Sequence, residues 1–252
     1  MGTKRKKYSF RGGEIIEIED YHDGKYGAPG KKREAKKKLT EEQMREINAR
    51  NKAKRCRHRL LEYFTQGDIW ATWTYRVPER PEDMKTALKD FQDAMRIVRR
   101  EYKKRGQELR WIRNIERGTK GAWHIHLVIN EIGDTASIIT KAWKKGGTWL
   151  TEIRNSKFAE EDFSQLANYL TKDEHTREKK KDGSESKPRL SVANYRCSRN
   201  MPLPEPKTRV LKHWKTEIKP WKGYYIAKQY EGISPLGFRY RSYTMIKLAR
   251  RI

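Results

Sequence analysis

The chain has 252 residues, of which 59 are Lys or Arg and 33 are Asp or Glu, so its net charge is +26 and its pI is about 10.0. This excess of positive charge predicts a polyanionic partner, with nucleic acid first, while 35% hydrophobic residues are enough for one or two domain cores. Two cysteines without CxxC spacing argue against a disulfide framework or a zinc site, and no apolar run approaches the roughly 20 residues that would span a bilayer.

Residues 1–66 are predicted to form a basic N-terminal arm, because Lys and Arg dominate three separate stretches of it. Thr40 and Gln43 have the spacing of a capping box, which predicts that a helix begins there and continues towards Phe64. Such an arm either contacts DNA phosphates or is a solvated tail, and the sequence supports both interpretations.

The next part of the chain alternates between period-2 and helical patterns in the order β-α-β-β-α-β-α. The first helix places a stripe of apolar side chains from Met84 to Tyr102 at helical spacing, after a Pro start. Asp134 is the predicted cap of the second helix, and Gly146 with Gly147 is its predicted stop. The segments are, in order, 68–77, 81–102, 109–118, 122–130, 134–147, 148–154 and 160–175.

The first six of these elements predict an α+β fold of the ferredoxin-like, split βαβ type, in which an antiparallel sheet carries helices on one face. The other face of that sheet would remain uncovered. We therefore predict three regions, which are the N-terminal arm 1–66, a catalytic domain 67–175, and a basic loop with a C-terminal extension 176–252.

Two histidines, His124 and His126, interrupt an otherwise apolar strand. Because side chains alternate along a strand, both imidazoles point to the same face. The apolar row of Trp123, Ile125, Leu127 and Ile129 points to the opposite face, towards the helices. A register shift of one residue would bury both histidines, so their facing is well determined.

The preceding strand, 109–118, has no purely apolar row, so its facing depends on how it pairs with the histidine strand. If Glu116 is opposite His124, then Asn114 is opposite His126, and Glu116 joins the histidines on the open face. Arg113 would then lie on the core face and would have to extend its head past the core to water.

Two imidazoles and one carboxylate can bind a divalent ion and leave positions open for water and substrate. Mixed nitrogen and oxygen ligands suit Mn²⁺ or Mg²⁺, and also zinc or iron; Mn²⁺ or Mg²⁺ is favoured for a phosphodiester substrate. The simpler alternative is a pair of solvent-facing histidines on a sheet that only holds nucleic acid.

Tyr169 lies beside the apolar stripe of the last helix, and Lys172 follows three residues later. A phenolate is a competent nucleophile towards phosphorus, and a nearby ammonium or metal can lower its pKa or hold the phosphate. A tyrosine in this position can also be ordinary packing.

The motifs TWTY, HIHLV and NYLTK, in this order, resemble the three motifs of the HUH endonucleases, and specifically of rolling-circle replication initiators of small plasmids and phages. The resemblance covers about residues 68–175. It implies that His124 and His126, with Glu116 as a third ligand, bind the ion that polarises the scissile phosphate. It also implies that Tyr169 is the nucleophile and that Lys172 assists it.

The reaction implied by the resemblance joins the 5′ phosphate of the DNA to Tyr169 and frees a 3′-hydroxyl that primes replication. The enzyme would thus be a metal-dependent nickase and strand transferase acting on single-stranded or hairpin origin DNA. A host helicase and polymerase would be its partners in the cytoplasm of a bacterial or other prokaryotic cell, with no role for a membrane. The chain has Gln165 where two-tyrosine members have a second tyrosine, which indicates a single-tyrosine enzyme.

Several alternatives stay open. Tyr195 is a rival nucleophile in the segment NYRCSRN, where Arg196 and Arg199 are predicted to contact DNA, as are Arg110 and Asn114. A single-tyrosine HUH transposase shares the same chemistry, whereas a conjugative relaxase would have a third histidine near the pair. From another class, the chain could be a non-catalytic nucleic-acid-binding protein. No Walker A pattern is present, so a fused helicase is not expected.

Overall fold

The structure, a computed structural model, describes residues 3–22, 39–118, 122–172, 195–214, 217–233 and 239–248. Within these ranges the chain forms ten β-strands and four α-helices. The strands are β1 (Thr3–Phe10), β2 (Ile15–His22), β3 (Ile69–Thr74), β4 (Trp111–Arg117), β5 (Trp123–Ile129), β6 (Thr148–Glu152), β7 (Arg196–Cys197), β8 (Lys207–Leu211), β9 (Tyr224–Ile233) and β10 (Arg239–Lys247). The helices are α1 (Glu41–Tyr63), α2 (Met84–Lys104), α3 (Thr135–Ala142) and α4 (Ser164–Thr171).

The chain divides into two compact units, and residues 49–202 form the second of them. Its sheet has the strand order β6-β3-β5-β4-β7, and every neighbouring pair is antiparallel. Strands β3 and β4 are therefore parallel to each other and flank β5, which is the split βαβ arrangement. The predicted α+β fold with a ferredoxin-like sheet is confirmed.

Helices α2 and α3 cover one face of this sheet, as predicted. The apolar stripe of α2 is buried against the odd-numbered row of β5, which comprises Trp123, Ile125, Leu127 and Ile129. Trp73 of β3 lies at the centre of this core and stacks on Trp143, with 4.9 Å between ring centroids. The alternation of side chains along β5 therefore predicted correctly which face of this strand packs against the helices.

The opposite face is not uncovered, and this part of the prediction is wrong. Helix α4 packs there, and Tyr169 lies edge-on to Trp70 of β3. Trp70, Ile112, Asn114 and Val128 of this face are all buried. Aromatic and aliphatic side chains on both faces of the sheet allow two cores to form, one on each side.

Several local predictions differ from the structure, among them the end of α3, which lies at Ala142 and not at Gly146 and Gly147. Helix α2 begins after Asp83, whose Oδ1 accepts a hydrogen bond from Thr86 N at 2.8 Å, and not at the proline. Asp134 precedes α3, but its carboxylate binds the guanidinium of Arg105 and does not cap the helix. Arg113 does not extend to water, since it is only 3% exposed. The sequence GTKG at residues 118–121, which predicts the turn between β4 and β5, lies largely outside the described residues.

Residues 1–48 and 203–252 form the first compact unit. Its five-stranded antiparallel sheet has the order β8-β1-β2-β10-β9, so the first strands of the chain pair with the last ones. This arrangement differs from a basic arm at residues 1–66 and a separate extension after residue 175. The helix predicted within the arm is confirmed, and the capping box at its start has both reciprocal hydrogen bonds between Thr40 and Gln43.

Charged strands can form this sheet because a carboxylate compensates their buried cations. Asp20 accepts two hydrogen bonds from Arg5, at 2.6 and 2.7 Å, and further ones from Arg241 at 2.9 and 3.0 Å. The Trp214 ring lies 4.7 Å from the Arg241 guanidinium. A buried carboxylate between two arginines satisfies the polar groups that burial would otherwise leave without partners.

Gly146 is tightly constrained in the connection between α3 and β6. A Cβ at this position would lie 2.0 Å from the backbone oxygen of Thr74. We expect Gly146→Ala to lower the free energy of unfolding by about 2–3 kcal/mol, because overpacking against backbone forces the chain to shift. Urea denaturation measures this effect. Gly67→Ala, whose Cβ would meet no atom closer than 3.7 Å, is the control, and an equal loss in both variants would contradict the steric argument.

None of the described helices combines the length and the apolar character that a bilayer crossing requires.

Candidate functional site

The sheet register brings together the residues that the sequence predicted to share a face. Glu116 lies opposite His124, and Asn114 lies opposite His126. On the other side of β5, Thr74 is opposite His124 and Thr72 is opposite His126. The predicted pairing of β4 with β5 is therefore confirmed, and it places Glu116 and both histidines on the face that α4 covers.

His126 is held by contacts on both of its ring nitrogens. Its Nε2 lies 2.5 Å from Glu116 Oε1, and its Nδ1 lies 3.0 Å from Thr72 Oγ1. The ring also stacks on Trp70, with 5.3 Å between centroids. Because a hydroxyl can donate or accept, Thr72 is compatible with either tautomer of His126. These contacts keep Nε2 directed towards Glu116.

Tyr169 completes the cluster from helix α4. Its hydroxyl donates to Glu116 Oε1 at 3.0 Å and also lies 3.0 Å from His126 Nε2. Burial, and then the negative charge of Glu116, raise the pKa of Tyr169 above its usual value. The hydroxyl is thus a phenol at neutral pH, and it points at a group that can accept its proton.

A short irregular segment fixes the start of α4. The helix was predicted to begin at residue 160, but it begins at Ser164, after Phe163 in the left-handed conformation with a φ of 54°. Asp162 accepts hydrogen bonds from both the backbone N and the hydroxyl of Ser164, at 3.2 and 2.5 Å. Burial of the Phe163 ring offsets the cost of its backbone conformation. The segment sets the direction in which α4 carries Tyr169 to the sheet.

Lys172 and Lys157 differ in their relation to Tyr169. Lys172 is exposed just beyond Thr171, the last residue of α4. Lys157, from the connection before α4, places its Nζ 5.2 Å from the centroid of the Tyr169 ring and 5.1 Å from that of Phe158. A cation therefore accompanies the tyrosine, and in this structure it comes from Lys157. The role that the resemblance implies for Lys172 stays a prediction.

His124 is half-buried beside this cluster, with its ring 6.4 Å from that of His126. Burial, and then the proximity of His126, lower the pKa of His124, so its imidazole is neutral and suited to metal binding. The two imidazoles and Glu116 are the donor types that Mn²⁺ or Mg²⁺ accepts. Among the described residues, however, no three His, Cys, Asp or Glu side chains are gathered as a metal site. His124, His126 and Glu116 thus have the donor chemistry for a divalent ion and lie on one face of the sheet, but they are not gathered around one point.

The rival nucleophile lies elsewhere. The Tyr195 hydroxyl accepts a hydrogen bond from Arg59 Nη1 at 2.7 Å, and burial raises its pKa. Its contacts are with α1, whereas those of Tyr169 are with the histidine face.

The residues predicted to bind DNA have different surroundings. Arg196 and Arg199 are exposed and line a groove on the α2 side of the sheet. Arg110 pairs with Glu108 and lies over the Tyr63 ring. Asn114 is 0% exposed, so it is a buried neighbour of His126 and not a surface contact.

Sequence reasoning did not identify Trp70, Lys157 or Phe158 as parts of this site. Trp70 has the same parity as Thr72 on β3, so its place on the histidine face follows from the alternation of that strand. Lys157 and Phe158 lie in an irregular connection, where neither a helical nor a strand periodicity predicts the direction in which a side chain points.

Residues 68–174, from just before β3 to just after α4, match the family model described as Replication-associated protein ORF2/G2P. No curated protein and no solved structure matches the chain. The matched range contains Glu116, both histidines and Tyr169.

Proposed function

We propose that the chain is a rolling-circle replication initiator of HUH endonuclease type that nicks and rejoins one strand of origin DNA through Tyr169. The match of residues 68–174 to the family model described as Replication-associated protein ORF2/G2P supports this proposal. The observation that carries the proposal is the convergence of three elements. The Tyr169 hydroxyl lies 3.0 Å from both Glu116 Oε1 of β4 and His126 Nε2 of β5. A nucleophile and a proton acceptor in hydrogen-bond contact are what acyl or phosphoryl transfer through a side chain requires.

In the proposed reaction, the Tyr169 oxygen attacks the scissile phosphorus and its proton passes to Glu116. The bond between phosphorus and the 3′ oxygen breaks, and that oxygen takes a proton from water to become a free 3′-hydroxyl, while Glu116 returns its proton to the solvent. The 5′ phosphate remains bound to Tyr169 as a phosphodiester. Rejoining is the reverse, with a 3′-hydroxyl attacking the phosphotyrosine and Tyr169 recovering its proton.

His124, His126 and Glu116 would hold Mn²⁺ or Mg²⁺, which when bound withdraws charge from a phosphate oxygen. Thr72 fixes the His126 ring through Nδ1. Trp70 stacks on the same ring and also contacts Tyr169 edge-on. The sheet and α4 therefore orient the nucleophile and the histidine independently of DNA, which reduces the entropic cost of reaching the reacting geometry.

Single-stranded or hairpin-extruded DNA is the proposed substrate, because a scissile phosphate must enter between α4 and the sheet to reach Tyr169. Lys157, which is exposed and lies over the Tyr169 ring, would supply positive charge to a phosphate that approaches this tyrosine. A host helicase and polymerase would extend the freed 3′-hydroxyl.

The test is incubation of the full chain with end-labelled single-stranded origin DNA, with Mn²⁺ or with EDTA, followed by a denaturing gel. We expect a covalent protein–DNA band with Mn²⁺ and none with EDTA. Mass spectrometry of the digested adduct should place the nucleotide on Tyr169. Tight binding without cleavage of any single-stranded or hairpin substrate would instead support a non-catalytic nucleic-acid-binding protein.

A further inference from the structure

A groove of about 1170 Å³ lies on the face of the second unit's sheet that is opposite to Tyr169. Residues of α2 from Leu88 to Lys103 form one wall, and β4 with residues 196–200 forms the other. Glu108 is an acidic residue of its lining, and it is paired with Arg110. Six cationic side chains line the groove, namely Arg96, Arg99, Lys103, Arg113, Arg196 and Arg199.

Arg113, in the wall formed by β4, has unsatisfied polar atoms. The residue is 3% exposed, and its Nε and Nη1 are buried without a hydrogen-bond partner among the described residues. Its guanidinium carbon lies 5.3 Å from the centroid of the Phe91 ring, which accommodates the charge but accepts no N–H hydrogen bond in the plane of the guanidinium. Buried donors without partners are rare in native proteins, because each costs about 1–3 kcal/mol.

A second cation adds to this cost. Arg196 of β7 lies directly opposite Arg113 of β4, so both side chains are on the same face of the sheet. Like charges opposite each other across strands are destabilising. Burial, and then the charge of Arg196, lower the pKa of Arg113 to about 10, so the guanidinium still carries its proton at neutral pH. The unpartnered donors and the neighbouring cation give this position the chemistry of an anion-binding site.

We propose that this groove binds a phosphate group, with Arg113 as the buried anchor and with Arg99 and Arg199 at its exposed rim. Guanidinium groups match phosphate oxygens with paired hydrogen bonds, which would satisfy the free donors of Arg113 and separate its charge from that of Arg196. Trp111 is partly exposed in the same groove, and its ring offers a surface for a sugar or base. The phosphate belongs either to a DNA strand or to a free nucleotide.

The parent is the full-length Tyr169→Phe chain, so that no cleavage takes part. The test compares this parent with the same chain carrying Arg113→Met, Arg99→Gln or the control Arg100→Gln. Arg100 is exposed on α2 next to Arg99 but does not line the groove. The probes are inorganic phosphate, a deoxynucleoside monophosphate and a labelled 20-mer of single-stranded DNA. Binding is measured by thermal shift for the small ligands and by fluorescence anisotropy for the DNA.

We expect Arg113→Met and Arg99→Gln to weaken binding by about tenfold or more, the loss typical of a charged hydrogen bond, and Arg100→Gln to change it by about twofold or less. Without ligand, Arg113→Met should melt at the same temperature as its parent or higher, because an unpaired buried cation has been removed. A loss for all three probes indicates a discrete phosphate site, and a loss for the 20-mer alone indicates a path for the strand.

Unchanged binding of every probe to folded Arg113→Met would overturn the proposal. The same is true of a lower melting temperature combined with unchanged affinities, which would make Arg113 a structural residue. Either result leaves the nicking proposal intact, since that reaction depends on Tyr169 on the other face of the sheet.

Discussion

Tyr169→Phe is expected to abolish the covalent protein–DNA adduct and to lower the nicking rate by at least about 10³-fold, since removal of a nucleophile leaves only the surrounding groups to assist attack by water. The phenyl ring keeps the aromatic contacts with Trp70, His126 and Phe158. DNA affinity should therefore remain within about twofold of wild type. The measurement is a single-turnover cleavage assay on labelled single-stranded origin DNA, combined with an anisotropy titration.

Tyr195→Phe is the matched control. Tyr195 is also a partly buried tyrosine, and burial raises its pKa as it does for Tyr169. Its hydroxyl binds Arg59 and not the histidine face, so we expect the adduct to form normally. An adduct that persisted in Tyr169→Phe and disappeared in Tyr195→Phe would assign the chemistry to the other tyrosine and remove the basis of the proposed site.

The strand register of the site could be predicted from sequence because the parity of β5 is unambiguous. Because the odd-numbered residues of β5 are apolar and buried, His124 and His126 must point to the other face. One further assumption, that Glu116 lies opposite His124, then determines the register of all of β4. The cation at Tyr169 could not be predicted in the same way. Spacing on one helix favoured Lys172, but α4 ends at Thr171, and Lys157 approaches from a connection that has no periodicity.

The first unit was beyond sequence reasoning for a different reason. Its strands β2 and β10 pair although more than 200 residues separate them, and pairing at that distance leaves no local pattern in the sequence. The lysines and arginines of β1 also obscure the alternation that identifies a half-buried strand. Only the structure shows that Arg5 and Arg241 are buried around Asp20, which makes an apparently solvated segment part of a sheet.

Glu116→Gln is expected to lower the nicking rate by about 10²–10⁴-fold, the range for loss of a positioned proton acceptor. The substitution keeps the size of the side chain and its ability to accept a hydrogen bond at Oε1. It removes the negative charge that would take the Tyr169 proton and that would help to hold a divalent ion. Nicking by this variant should also require a higher Mn²⁺ concentration.

The direction of this effect separates two roles for the carboxylate. The charge of Glu116 contributes to the raised pKa of Tyr169, so Glu116→Gln makes the phenol more acidic. If the carboxylate only opposed ionisation of the nucleophile, its removal would accelerate nicking. If it accepts the proton and holds the ion, nicking becomes slower although the phenol is more acidic.

Glu152→Gln is the control, because it removes a surface carboxylate at the end of β6 that is paired with Arg154. This variant should leave the nicking rate unchanged. Cleavage by Glu116→Gln at or above the wild-type rate would exclude Glu116 from proton transfer. The proton acceptor would then be His126 Nε2, which also lies 3.0 Å from the Tyr169 hydroxyl.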